Sequence, residues 1–366
     1  MIKIICVCGA RPNFMKIAPL MKAFAAAGGF ETLLVHTGQH YDEKMSQLFF
    51  EQLAIPKPQV NLEVGSGSHA VQTAEIMRRF EPVVLEFKPD YVLVVGDVNS
   101  TIACGLVAVK LGVKLAHVEA GLRSFDRAMP EEINRVLTDA ISDLLFVTEP
   151  SGVDNLRREG VDPARIHLVG NVMIDTLLAN RAQAAASTIL AELHLAEKGY
   201  AVVTLHRPSN VDDLATLGGI LDAFEEIQRE IALVFPVHPR TRHNLAQSGL
   251  AAQLARMPNL KLIEPVGYLD FLRLLSAARL VLTDSGGIQE ETTILGVPCL
   301  TLRENTERPI TLTEGTNRLV HVTRADILAH YRAIAADGHA AAPRPAPRLW
   351  DGKAAERIAA ILAALK

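Results

Sequence analysis

The segment 283–291, T-D-S-G-G-I-Q-E-E, carries the most informative chemistry of this chain. It follows an apolar run typical of a buried parallel strand, and a helical pattern comes after it. Glycines at such a turn let a ligand approach the backbone, and the N–H groups of a helix start bind phosphate. Glu291 adds a carboxylate that can accept hydrogen bonds from the diol of a ribose. The segment therefore predicts a site for phosphates beside a ribose, and a capped, acidic helix start is the alternative.

A second turn with charged side chains, 9–16 (G-A-R-P-N-F-M-K), follows the first predicted strand. Arg11 and Lys16 would lie near the start of a helix, where the helix dipole disfavours cations. These two side chains are therefore expected to meet an anionic partner, and a solvated pair is the alternative.

Three carboxylates of the first half lie where strands end or a helix starts. Asp97 follows the most apolar strand, Glu119 ends the next one, and Glu131 follows Pro130 at a helix start. Brought to one cleft, they would suit acid–base chemistry on a carbon acid. Helix capping is the alternative for Asp97, and an ordinary acid-rich helix start is the alternative for Glu131. A lone histidine at a strand end, such as His206 in the second half, is usually structural.

Short β-rich runs alternate with helical patterns from end to end, which predicts parallel sheets with crossover helices. The pattern restarts after an Ala-rich helical stretch at 171–198, and a length of 366 residues favours two domains. The predicted fold class is α/β, with two doubly wound Rossmann-like domains and a central cleft. We expect a first domain at 1–170, joined by the C-terminal helix 350–366, and a second domain at 171–349. The predicted strands lie at 2–8, 31–36, 91–96, 113–118, 144–148, 166–169, 200–205, 231–237, 260–264, 279–283, 299–302 and 319–322.

Composition excludes several classes of protein. The net charge of -4, the absence of a basic stripe and an aromatic content of 5% argue against nucleic-acid binding. No apolar run is long enough to span a membrane, and the N-terminus is too short for a signal peptide, so a cytoplasmic location is expected. The four cysteines show no metal-ligand spacing and are expected to be free and buried. A glycine-rich stretch at 65–70 follows only a poor strand signal, so it does not indicate a nicotinamide site. Since no metal-ligand spacing is present either, we expect no cofactor.

Taken together, these motifs resemble the non-hydrolysing UDP-N-acetylglucosamine 2-epimerase family. They occur in the order of that family across residues 1–315, and the combination is specific although no single piece is. One departure follows His206 and Arg207, where the family usually has a residue and then Glu-Asn but this chain has P-S-N at 208–210. The matching segments are 9–12 with Lys16, 37–40, 96–97, 117–123, 130–135, 204–207, 284–291 and 306–309.

The resemblance implies the glycosyltransferase-B architecture, with UDP held mainly by the second domain, and a homodimer. It also implies roles for individual residues. Ser285, Gly286 and Gly287 would hold the diphosphate, Glu291 the ribose, and Phe271 would lie beside uracil. Arg11, Lys16, His206 and Arg308 would surround the nucleotide, and Gln39 and His40 match the place where some members bind a second UDP-sugar. The catalytic candidates are Asp97, Glu119, Glu131 and His206.

The activity that the resemblance implies is reversible C2 epimerisation of UDP-N-acetylglucosamine to UDP-N-acetylmannosamine. It would proceed by elimination and re-addition of UDP through a 2-acetamidoglucal. The alternatives are a 2-epimerase of a related UDP-2,3-diacetamido uronic acid, a UDP-sugar glycosyltransferase, and a non-catalytic UDP-sugar sensor.

Overall fold

The structure is a computed structural model that describes residues 1–38, 49–237, 239–246, 250–336 and 345–365. For Arg11, Pro239 and Arg240 it describes the backbone only. The predicted residues Gln39 and His40 therefore lie outside the described residues. The chain forms two compact units, Met1–Ala179 with Arg348–Lys366, and Asn180–Pro347.

The first unit is built on a parallel sheet of seven strands in the order β3-β2-β1-β4-β5-β6-β7. The central strands are apolar and buried because helices cover both faces of a parallel sheet. The direction of strand order reverses between β1 and β4, which is where doubly wound sheets bind ligands. The strands are β1 (Ile2–Cys8), β2 (Phe30–His36), β3 (Val60–Asn61), β4 (Tyr91–Val95), β5 (Lys114–Ala120), β6 (Leu144–Val147) and β7 (Ile166–Leu168). The helices are α1 (Arg11–Ala27), α2 (His69–Phe87), α3 (Asn99–Lys110), α4 (Pro130–Ile141) and α5 (Pro150–Arg158). A further helix, α6 (Val172–Ala185), begins in this unit, and the boundary between Ala179 and Asn180 lies within it.

The second unit repeats this plan with six parallel strands in the order β10-β9-β8-β11-β12-β13. Its strand order reverses between β8 and β11. The strands are β8 (Tyr200–Thr204), β9 (Ala232–Pro236), β10 (Leu260–Ile263), β11 (Leu280–Thr283), β12 (Cys299–Leu302) and β13 (Asn317–Val320). The helices are α7 (Ile189–Glu192), α8 (Pro208–Val211), α9 (Leu214–Ile227), α10 (Pro239–Ala246), α11 (Leu250–Leu254), α12 (Tyr268–Ala277), α13 (Gly286–Leu295), α14 (Ile310–Thr313) and α15 (Arg324–Ala336).

Two doubly wound parallel sheets confirm the predicted α/β fold class of the glycosyltransferase-B type. The short strand β3 was not predicted, because two residues carry too little pattern to be recognised. Among the described residues, no helix has both the length and the apolar character needed to cross a membrane. The four cysteines are free and buried in the described structure.

The C-terminal helix α16 (Ala354–Ala364) packs against α1 in the first unit. A carboxylate of another helix caps its start, because Asp175 of α6 accepts hydrogen bonds from the backbone N–H groups of Ala354 (3.1 Å) and Ala355 (2.7 Å). Just before the helix, the buried Trp350 donates its indole N–H to the carbonyl oxygen of Thr148 at 3.0 Å. The end of the chain is thus fixed to the first unit by side chains as well as by packing.

We predict that Asp175→Ala lowers the free energy of unfolding of the first unit by about 1–3 kcal/mol, because two buried backbone N–H groups lose their acceptor. Trp350 is the single tryptophan of the chain, so its fluorescence during urea unfolding reports on this unit. Asp154→Ala is the matched control, since Asp154 is an exposed aspartate of α5. Equal unfolding midpoints for the two variants would contradict the capping role.

Candidate active site

The turn between β1 and α1 is tied to the end of β4 by one side chain, that of Asn13. Its Oδ1 atom accepts hydrogen bonds from the backbone N–H groups of Gly9 and Ala10, each at 3.1 Å, and its Nδ2 atom donates to the carbonyl oxygen of Val95 at 3.2 Å. The two strand ends that flank the reversal of strand order are therefore locked together. Sequence reasoning included Asn13 in a motif but gave it no role.

Lys16 and Glu119 form a buried ion pair at this carboxyl edge of the first sheet. Glu119 lies in β5, at a β-bulge where the register with β6 shifts between Val118 and Ala120. Its backbone φ is +75°, a value that costs energy for a residue with a side chain. Bulges re-aim side chains and are frequent at active sites. This carboxylate is the anionic partner that was expected for Lys16.

Asp97 follows β4 and pairs with a buried arginine from α4. Its Oδ2 atom accepts hydrogen bonds from Arg135, at 2.5 Å from Nη2 and 3.2 Å from Nε. The N-cap residue of α3 is Val98, whose side chain makes no capping hydrogen bond. The capping alternative for Asp97 is therefore wrong, because the carboxylate is turned to Arg135 instead of the N–H groups of the helix.

The two acids at the start of α4 have different surroundings. Glu132 is buried and accepts hydrogen bonds at 2.9 Å from the backbone N–H groups of Ser124 and Phe125 and from the Ser124 hydroxyl. It also pairs with Arg135 at 2.5 Å. Glu131 is partly buried in the first turn of the helix. Both acids lie in the first turn of α4, so the acid-rich helix start given as the alternative for Glu131 is present, and a catalytic role for Glu131 stays a prediction.

A buried network of charged side chains lies behind Gly96 and Glu119. His117 contacts Asp139 Oδ1 through Nδ1 (2.7 Å) and the carbonyl oxygen of Gly96 through Nε2 (2.8 Å). Asp139 Oδ2 accepts hydrogen bonds from Arg123 Nη1 (2.6 Å) and from the N–H of Gly121 (3.0 Å). Burial disfavours the charge of Asp139, but His117 and Arg123 outweigh it and hold the pKa of this carboxyl below its usual value. Sequence reasoning missed Asp139, since it lies inside a helix with no motif around it.

In the second unit, Asp284 organises the residues that follow β8. This fully buried carboxylate accepts hydrogen bonds from the backbone N–H groups of His206 and Arg207, both at 3.0 Å, and from Asn210 Nδ2 at 3.2 Å. It also contacts His206 Nδ1 at 2.8 Å, which leaves the imidazole half-exposed with a fixed orientation. Burial raises the pKa of Asp284, but these partners outweigh it and the pKa lies below the usual value. His206 is thus a positioned side chain and not a core histidine.

The segment after β11 has the strand–turn–helix form that its glycines predict. Helix α13 begins at Gly286, its N-cap residue Ser285 makes no side-chain capping bond, and its first turn contains no acid. The alternative of a capped, acidic helix start is therefore wrong. A methyl group on Gly286 would lie 2.5 Å from Arg308 Nη1, so only glycine lets the guanidinium approach this helix start. Arg308 is buried and is held by Glu290, at 2.7 Å from Nε to Oε1, and by Glu307.

Glu291 lies one turn further along α13 and is buried. Its Oε1 atom accepts a hydrogen bond from the Tyr268 hydroxyl at 3.2 Å. Burial raises the pKa of Glu291 to about 7, with the Tyr268 hydrogen bond acting in the opposite direction and the charge of Glu290 acting in the same one. Phe271 is partly buried on α12, three residues after Tyr268. Sequence reasoning missed Tyr268, because only the fold brings it to Glu291.

The structure therefore groups the predicted residues at the carboxyl edges of the two sheets. In the first unit these are Lys16, Asp97, Glu119 and Glu131, and in the second unit His206, Phe271, Ser285, Gly286, Gly287, Glu291 and Arg308. The Arg11 side chain lies outside the described structure. Within the described ranges, no cluster of three or more His, Cys, Asp or Glu side chains is arranged to hold a metal ion.

Comparisons with known proteins identify the family of this chain. The family model for UDP-N-acetylglucosamine 2-epimerase matches residues 22–363. A UDP-N-acetylglucosamine 2-epimerase of Methanococcus maripaludis is 45% identical over 334 residues, which is 90% of each chain. A UDP-2,3-diacetamido-2,3-dideoxy-D-glucuronate 2-epimerase of Pseudomonas aeruginosa is 43% identical and covers 99% of this chain and 100% of its own.

A solved structure gives the same result. The UDP-GlcNAc 2-epimerase of Methanocaldococcus jannaschii, in complex with UDP-GlcNAc and UDP, superposes with a TM-score of 0.92 at 42% identity, covering 99% of this chain and 100% of that one. The resemblance inferred from the motifs is confirmed, and the chain is an enzyme that belongs to the UDP-N-acetylglucosamine 2-epimerase family.

Proposed function

We propose that this enzyme interconverts UDP-N-acetylglucosamine and UDP-N-acetylmannosamine by inverting C2 of the sugar. The observation that carries the proposal is the buried Glu119–Lys16 pair, which places a carboxylate at a strained bulge on the ligand-binding edge of a doubly wound sheet. The names of the relatives and the ligands of the Methanocaldococcus structure support the choice of substrate.

The chemistry of the sugar favours elimination over direct deprotonation, because no carbonyl group activates the proton on C2. In the proposed sequence the C1–O bond to UDP stretches first, and positive charge develops at C1. The C2 proton then becomes acidic enough for a carboxylate to remove it, which leaves 2-acetamidoglucal and UDP. Protonation of C2 from the opposite face and re-addition of UDP at C1 complete the inversion. These steps involve no net oxidation and use neither a metal nor a nicotinamide.

The residues of the second unit suit the departing diphosphate. The Arg308 guanidinium and the N–H groups at the start of α13 both create positive electrostatic potential beside Gly286. This potential would stabilise the negative charge that develops on the leaving oxygen. His206, oriented by Asp284, would add a polar contact to the same group. Glu291 would bind the ribose, and Phe271 would lie beside the base.

The residues of the first unit suit the proton transfers. A buried ion pair with Lys16 holds the Glu119 carboxylate in place, and a carboxylate is a group that can accept a proton. Asp97, oriented by Arg135, and the partly buried Glu131 are the candidates for the opposite face of C2. Two faces require two proton-transfer groups, which explains the use of several carboxylates.

A second candidate substrate is a UDP-2,3-diacetamido uronic acid. It is favoured by the Pseudomonas aeruginosa relative, whose name states that activity and whose full length aligns with nearly the whole of this chain. The same elimination and re-addition would apply, because the reacting atoms C1 and C2 are unchanged.

We predict that proton NMR in deuterated water shows UDP-N-acetylglucosamine being epimerised with deuterium appearing at C2. Chelator should leave the rate unchanged. If the enzyme turns over only the UDP-2,3-diacetamido uronic acid, that compound is the substrate and UDP-N-acetylglucosamine is not. Binding without exchange would indicate a sensor, and sugar transfer that depends on an acceptor would indicate a glycosyltransferase.

In the same assay, Glu119→Gln should lower the rate of C2 exchange by about 10²-fold or more, the usual contribution of a general acid–base group. Calorimetric affinity for UDP should change little, because most of the proposed nucleotide contacts lie in the second unit. Glu86→Gln, which changes an exposed glutamate of α2, is the control and should keep both properties. Normal exchange in Glu119→Gln would exclude this carboxylate from catalysis.

Gly286→Ala should weaken UDP binding by tenfold or more, since the added methyl group would displace the Arg308 guanidinium from the helix start. Gly219→Ala is the matched control in the second unit, because a methyl group at that helical position meets no atom within 4 Å. The control should bind UDP normally and gain about 0.5–1 kcal/mol of stability from its helix propensity. Similar UDP affinities for both variants would argue against a diphosphate beside Arg308.

We also propose a cytoplasmic homodimer. Ile133, Val136 and Leu137 expose apolar side chains on one face of α4, as expected for a surface that a second copy covers. Light scattering should give twice the chain mass of 39.7 kDa, and Leu137→Glu should reduce it to one chain. Leu214→Glu, at an exposed apolar residue of the second unit, should stay dimeric. A wild-type mass of one chain would refute the dimer.

A further inference from the structure

Tyr268 and Glu291 meet inside the second unit although they belong to different helices. Tyr268 is the first residue of α12, Glu291 lies in the second turn of α13, and their oxygen atoms are 3.2 Å apart. Both residues are buried, at 2% and 3% exposure. A hydrogen bond between two such groups fixes the direction of the carboxylate as well as that of the phenol.

The adjacent carboxylate has a different kind of partner. Glu290 is bound by the Arg308 guanidinium at 2.7 Å, so its charge is compensated by a cation on the diphosphate side. Glu291 is bound by a neutral hydroxyl group. The titratable groups that face Glu291 in the described structure are Tyr268 from α12 and Glu290 on its own helix. Orientation of Glu291 therefore depends on one phenol.

We propose that Tyr268 is a positioning residue for nucleotide binding, whose hydroxyl aims the Glu291 carboxylate at the ribose diol. This inference rests on the proposed function only in assigning Glu291 to the ribose, and it does not depend on which sugar is attached or on the chemistry at C2. A ribose diol donates two hydrogen bonds, and a charged carboxylate offers acceptors for both while its other lone pairs hold Tyr268.

The arrangement gives UDP binding a defined dependence on pH. Burial raises the pKa of Glu291 to about 7, so the carboxyl group gains a proton as the pH falls through that value and loses an acceptor for the diol. Burial, followed by the charge of Glu291, raises the pKa of Tyr268 well above its usual value, so the phenol keeps its proton and remains a donor. Removal of this donor raises the pKa of Glu291 further. UDP affinity should therefore increase with pH. In the variant without the hydroxyl, this increase should occur at a higher pH.

The test compares Tyr268→Phe with the wild type by calorimetric titration of UDP between pH 6.5 and pH 9. UDP itself titrates in this range, but the ratio of the two Kd values cancels that effect. Loss of the hydrogen bond raises the pKa of Glu291, so the ratio of the variant Kd to the wild-type Kd should be largest at pH 6.5 and should fall as the pH rises. The ratio should stay above one at pH 9, where both carboxylates are charged and only the lost aim of Glu291 remains. Tyr331→Phe is the matched control, because Tyr331 makes a comparable hydrogen bond to Glu230 at 2.9 Å elsewhere in the unit. The control should show a ratio of one throughout.

A second variant keeps the inference testable if Tyr268→Phe fails to fold. Glu291→Gln removes the titrating group, so its Kd relative to the wild type should rise with pH as the wild-type carboxylate becomes charged. In the Glu291→Gln background, Tyr268→Phe should raise the Kd for UDP much less than it does in the wild-type background, since the phenol acts through Glu291. A Kd ratio of one at every pH for Tyr268→Phe, or full additivity of the two substitutions, overturns the inference. Loss of C2 exchange with an intact pH profile would instead refute the proposed function and leave the inference standing.

Discussion

Ionised side chains collect at the carboxyl edge of each sheet, and the need to compensate their buried charge determines much of the surrounding structure. Desolvation of an unpaired carboxylate costs several kcal/mol, so each one must be matched by a cation or by N–H donors. Asp139 is matched by His117, Arg123 and the N–H of Gly121. Asp284 is matched in the same way by the turn that follows β8. The loops that carry candidate catalytic groups are thereby held in place by charge.

Backbone geometry at these edges also allows the buried charges to pair. Glu119 reaches Lys16 because a bulge and a positive φ turn it out of the regular alternation of β5. Gly96 accepts a positive φ at the end of the neighbouring strand, and a methyl group there would lie 2.9 Å from Lys16 Nζ. Strain of this kind persists only where neighbouring contacts over-determine it. The His117 contact to the Gly96 carbonyl and the ion pair of Lys16 supply those contacts.

The fold was largely predictable, because the apolar pattern that marks each strand or helix is visible in a short stretch of sequence. The strands at 2–8 and 299–302 agree with their predictions at both ends, and most others differ from theirs by one or two residues. The partners of the site residues were not predictable in the same way. Asp97 reads as a helix cap from its neighbours, yet its carboxylate pairs with Arg135, which lies 38 positions along the chain. Tyr268 and Asp139 show no local pattern at all, since their roles come from residues that only folding brings near.

Glu290 and Glu291 show that even two adjacent residues can have different partners that the sequence does not reveal. They are adjacent, lie on the same helix and have the same side chain, and both are buried. Arg308 approaches one of them through the space that Gly286 leaves open, whereas α12 presents a phenol to the other. A cation favours the charged form strongly and a neutral donor favours it weakly, so burial prevails at Glu291 and its pKa reaches about 7. Two neighbouring carboxylates thus acquire different partners from tertiary contacts alone, and this difference separates a group that anchors an arginine from one whose pKa lies near 7.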